Sequence, residues 1–133
     1  NQKGYYYFLL GSVDVQKASL SQSEKNFKLA LQHGLRMEHD KAAVYLNLAV
    51  INANKRKKRE AIQLLNEAKR FDTKGYLKND IEISYYGYGW TAGKNGYNYA
   101  CADYFSPRIK KVWLAGYYNY LSYKEFGKIP SGI

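Results

Sequence analysis

The sequence is poor in the residues that build disulfides and metal cages. It has one cysteine, Cys101, which excludes an internal disulfide and a cysteine-based zinc site. Two histidines, His33 and His39, leave little for metal chemistry. There are two prolines, Pro107 and Pro130, so nothing of that kind interrupts a helix before residue 107. No apolar run approaches the roughly 18 residues of a membrane span. The apolar start YYYFLL has no cleavage site after it and does not read as a signal peptide. Because the first residue is Asn1, the expectation is a trimmed chain, soluble and cytoplasmic by default. Acidic residues are also scarce, 11 against 21 basic, which gives a net charge of +10.

What is abundant is tyrosine, 15 of 133 residues. That length fits one domain, or one with a small second part, and can bury a core without staples. Composition shifts near residue 83. Residues 1–83 carry 15 basic and 9 acidic residues; residues 84–133 carry 6 and 2, with ten tyrosines and both tryptophans. The first part has helical texture, and the second is rich in Gly, Tyr and Asn.

Periodicity predicts four helices in the first part. Residues 4–17 put Tyr7, Leu10, Gly11 and Val15 on one stripe. Ser21 and Glu24 fit a capping box before a helix over 22–33, which turns Phe27, Ala30 and Leu31 inward and ends at Gly34. Asp40 is the expected N-cap of a third helix, 41–53, with Val44, Tyr45, Leu48 and Ala49 inward. A fourth, 57–71, turns Ala61, Leu64, Leu65 and Ala68 inward.

These helices form two similar pairs. Tyr7, Leu10, Gly11, Ser23, Phe27 and Ala30 match Tyr45, Leu48, Ala49, Ala61, Leu65 and Ala68, always 38 residues on. The pattern resembles the tetratricopeptide repeat (TPR), usually about 34 residues in two antiparallel helices. It departs from that family at Asp14 and Asn52, where an aromatic is usual, and lacks the terminal proline. The extra four residues fall in the connector His33–Asp40. The resemblance covers residues 4–72. It implies a mainly α protein: TPR-like hairpins over 1–75 and a Tyr/Gly-rich capping segment over 76–133.

In that second segment, residues 81–90 and 97–105 alternate in part at period two around Asn95-Gly96, which suggests an aromatic β-hairpin at 81–105. Ser106-Pro107 opens a final helix, 107–125, with Ile109, Val112, Trp113, Gly116, Tyr117, Tyr120 and Leu121 on one face. It reads as a cap over the repeats.

The resemblance also implies a groove lined by the first helix of each unit: Tyr5, Phe8, Leu9, Ser12, Ala43, Leu46, Asn47, Val50 and Asn54. One TPR group grips a C-terminal carboxylate there with lysines and asparagines. Only Asn47 matches; Phe8 and Leu46 stand where lysines belong, so an apolar peptide or helix is the expected occupant. The basic run Lys55, Arg56, Lys57, Lys58 and Arg59 is the second candidate site, for phosphates of a nucleic acid, although a helix start is a poor place for cations. Ten tyrosines (85, 86, 88, 97, 99, 104, 117, 118, 120 and 123) divide between packing and an interface. Tyr88-Gly89-Trp90 with Cys101 is loosely similar to the NlpC/P60 cell-wall peptidases, but no histidine follows to serve as base. His33 and His39 flank a connector with no third ligand and read as surface residues. The expectation is a non-enzymatic protein-binding module without cofactor or metal; the alternative is a basic module associated with nucleic acid or ribonucleoprotein.

Overall fold

The computed structural model describes residues 2–96, 102–103 and 105–128. These form six helices: α1 (Gln2–Gln16), α2 (Leu20–His33), α3 (Glu38–Asn54), α4 (Lys58–Phe71), α5 (Lys78–Lys94) and α6 (Pro107–Phe126). No strand occurs among the described residues. The chain divides into two compact units, Asn1–Lys78 and Asn79–Ile133.

In the first unit α1 packs on α2, α2 on α3, and α3 on α4. The two hairpins turn in the same way. Each has one left-handed non-glycine residue, Ala18 (φ 58°) and Arg56 (φ 62°), 38 residues apart. The next residues, Ser19 and Lys57, share the same backbone (φ −89°, ψ 72° and φ −90°, ψ 71°) and start α2 and α4. The amide of Ser19 donates to Asp14 O and that of Lys57 to Asn52 O, each at 2.9 Å. A left-handed residue reverses the chain in three residues without a proline or glycine, at a local steric cost.

Small residues let the paired helices approach. Ser23 and Ala61 are fully buried, as are Phe27 with Leu65 and Ala30 with Ala68. Ser23 Oγ donates to the carbonyl of Gly11 at 3.0 Å, so its hydroxyl is satisfied inside the crossing. A Cβ on Gly11 would overlap the Phe27 ring, whereas Ala49 fits over the smaller Leu65. Tyr7 stacks on His33 (5.3 Å, 13°) and Tyr45 on Phe71 (5.5 Å, 1°), again at matched positions. The core of this unit joins Phe27, Ala30 and Leu35 to Val44, Leu48 and Ile51 of α3. Such a buried phenylalanine is worth about 3–5 kcal/mol against alanine.

Helix ends differ from the sequence reading. α2 begins at Leu20, so Ser21 lies inside it and forms no capping box. Glu24 instead binds Lys55. α3 begins at Glu38 after Met37, which leaves Asp40 within its first turn, where a carboxylate favours the positive end of the helix. Val15 is 37% exposed, because α1 turns Gly4 and Gly11 to α2.

The second unit corrects a larger expectation. Residues 81–90 are helical, inside α5, and form no strand of a hairpin; residues 97–101 and 104 lie outside the described residues. A Cβ on Gly89 would overlap the Trp113 carbonyl, and one on Gly116 the Tyr86 carbonyl. Glu82 meets Arg108, Tyr86 meets Asn119, and Trp90 meets Tyr120 and Tyr123. Partners rise together in number, so α5 and α6 run parallel, unlike the antiparallel pairs of the first unit. A parallel pair needs a long return. The 12 residues of 95–106 can span about 40 Å, more than the roughly 25 Å length of a 17-residue helix. Period-two alternation misleads here because the buried face of α5 is made of small and large residues together: Ile81, Tyr85, Gly89, Ala92 and Gly93. α6 itself matches the expected final helix, with Ile109, Trp113 and Gly116 buried; Leu121 is exposed.

Candidate functional site

The nine residues expected along a groove fall on corresponding faces of α1 and α3. The offset of 38 pairs Tyr5 with Ala43, Phe8 with Leu46, Leu9 with Asn47 and Ser12 with Val50. Tyr5, Leu9 and Val50 are 48%, 46% and 43% exposed. Phe8, Ala43, Leu46 and Asn47 are half-buried, and Asn54 is exposed. Phe8 is held from both sides, by Tyr5 (5.9 Å) and by Phe27 of the core (6.3 Å). The two polar side chains turn back on their own helices. Ser12 Oγ donates to Phe8 O at 2.9 Å, and Asn47 Nδ2 to Ala43 O at 2.8 Å. The faces therefore present ring and methyl surface, with polar groups partly satisfied before any ligand arrives.

The basic run forms the α3–α4 turn. Lys55 Nζ binds Glu24 Oε1 of α2 at 2.5 Å. That hydrogen bond, with Lys28 and Lys57 nearby, holds the Glu24 carboxyl below its ordinary range. One of the five cations is thus spent on joining helices. Arg56 takes the left-handed position, and Lys57 precedes α4. Arg56, Lys57 and Arg59 are exposed.

The histidines go to separate aromatic partners, His33 to Tyr7 and His39 to Tyr76 (5.6 Å). Among the described residues no three His, Cys, Asp or Glu side chains gather as metal ligands. Cys101 lies outside the described residues. No described helix is long and apolar enough to cross a membrane.

The tyrosines of the second unit mostly pack on one another. Tyr85 is fully buried and meets Phe105 and Tyr88; Tyr117 stacks on Trp113 (5.5 Å, 13°). Burial pushes the Tyr88 phenol up to about 12, and Tyr85 higher still, because a phenolate there would lose its water. Tyr118 and Tyr123 are half exposed. Tyr97, Tyr99 and Tyr104 lie outside the described residues.

Two further apolar residues of α1, Tyr6 and Val13, are also open to solvent, 56% and 45% exposed. Composition does not single them out. The offset of 38 does, since it pairs them with Val44 and Ile51. No protein-family model, no curated protein and no solved structure matches this chain.

Proposed function

We propose that residues 4–72 are two TPR-like hairpins and that this half is a non-enzymatic protein-interaction module, an adaptor or a subunit of a larger assembly. Its ligand is an apolar helix or extended segment laid along the faces of α1 and α3. The observation that carries this reading is the half-open apolar face repeated at an offset of 38 residues. Tyr5, Phe8 and Leu9 on α1 answer Leu46 and Val50 on α3, and the polar groups between them are already bonded to their own helices. Covering such surface releases ordered water at about 25 cal/mol per Å². The net charge of +10 steers acidic partners toward it. Neither half offers a nucleophile beside a base among its described residues, so the reading assigns no reaction.

Selection of peptides from a displayed library tests it. Selected apolar sequences lose binding to Leu46→Asp and keep it with Lys57→Glu combined with Lys58→Glu. Recovery of no peptide, together with binding of RNA or DNA at low salt that the double lysine variant removes, contradicts the proposal. It would favour the phosphate-binding role of the 55–59 run.

A further inference from the structure

The two hairpins differ in what lies on the outer side of their first helix. On α3, Val44 and Ile51 are buried to 0% and 2% exposure in the cluster with Phe27, Ala30 and Leu35 of the preceding helix and connector. The same positions on α1 are Tyr6 and Val13, exposed to 56% and 45%. Leu48 is buried; its counterpart Leu10 is half-buried. The electrostatic contact follows the same rule. Lys55 closes the α2–α3 contact by binding Glu24. Its counterpart is Lys17, which is exposed and has no ion pair among the described residues.

From this we infer that the Tyr6–Val13 face of α1 is a docking site for an acidic amphipathic helix of a partner protein, seated on α1 as α2 is seated on α3. α2 supplies the recipe. Its carboxylate, Glu24, is followed by a large apolar residue at +3 (Phe27), a small one at +6 (Ala30) and an apolar one at +7 (Leu31). The partner helix carries that spacing, and its carboxylate reaches Lys17. A second copy of this chain is the wrong occupant. α1 carries Lys3 and Lys17, its one carboxylate, Asp14, is held by Asn26 Nδ2 at 2.7 Å, and two copies at +10 repel. This face is distinct from the one proposed above to take an apolar ligand, and neither proposal requires the other.

The probe is a fluorescent peptide of residues 19–36 of this chain, which contains α2. The readout is fluorescence anisotropy on the full chain, with circular dichroism to confirm that each variant keeps its helix content. Val13 is exposed, so Val13→Asp leaves the fold intact. The expected result is saturable binding, weakened about ten-fold by Val13→Asp, where a carboxylate would be buried unpaired. Lys17→Glu weakens it a few-fold, and a peptide with Lys in place of Glu24 restores it. Absence of binding overturns the inference. So does binding that Leu46→Asp removes and Val13→Asp does not, and so does a dimer of the chain that Val13→Asp dissociates.

Discussion

Ala18 and Arg56 stand 38 residues apart and occupy the same left-handed backbone well, with φ 58° and 62°. Neither is a glycine, yet each closes a helical hairpin, and each is followed by a residue of almost identical backbone angles. Two chain reversals that agree this closely indicate one structural unit used twice. Stability experiments at the two sites should then give the same answer.

Ala18→Gly and Arg56→Gly each stabilise the protein, by about 0.5–1 kcal/mol, since relief of the left-handed penalty outweighs the added freedom of the unfolded chain. Urea unfolding checks this. Gain at one site with loss at the other would break the equivalence.

Gly11→Ala is predicted to destabilise the first hairpin by about 1–3 kcal/mol, because its methyl meets the Phe27 ring. Adding Phe27→Leu recreates the Ala49–Leu65 pair of the second hairpin and recovers part of the loss. A double-mutant cycle measures the coupling, and additive effects would contradict the packing described.

Two glycines of α5 should respond in opposite directions. Gly87 has open space where a Cβ would stand, so Gly87→Ala stabilises the helix by about 0.5–1 kcal/mol. Gly89 lies against the backbone of α6, which cannot swing aside as a side chain can. Gly89→Ala therefore separates α5 from α6 and lowers thermal stability. Equal effects at both positions would exclude the parallel pair.

Alkaline pH should unfold the second unit. The Tyr88 phenol is raised from 10.0 to about 12 by burial, and Tyr85 is raised further by burial and by Tyr88. The folded state then holds more protons than the unfolded one above pH 10. Stability is complete below that value and falls as pH rises toward 12. Phenolate absorbance and helix content, followed together, should change in one step. Early titration of all tyrosines with the helices intact would contradict it.

The helical hairpins were legible in the sequence because small and large residues recur with one offset, and packing at a crossing demands that order. Helix starts were less legible. Ser21 and Glu24 carry the signature of a cap, but Glu24 is drawn to Lys55 across the α2–α3 contact, which a local motif does not reveal. α5 was misread because glycine and tyrosine suggest turns and strands in isolation. Only its contact with α6 explains Gly89 and Gly93, and that contact lies more than 20 residues away. The groove residues could be listed by position, whereas Tyr6 and Val13 acquire meaning only when their exposure is set against the burial of Val44 and Ile51.

The most direct measurement is aromatic nuclear Overhauser spectroscopy of the full chain. The account predicts matched ring contacts, Tyr7 with His33 and Tyr45 with Phe71, of similar intensity. A Tyr45–Phe71 contact without its Tyr7–His33 counterpart would show that the two hairpins are different structures, and the repeated face on which the proposed function rests would not exist.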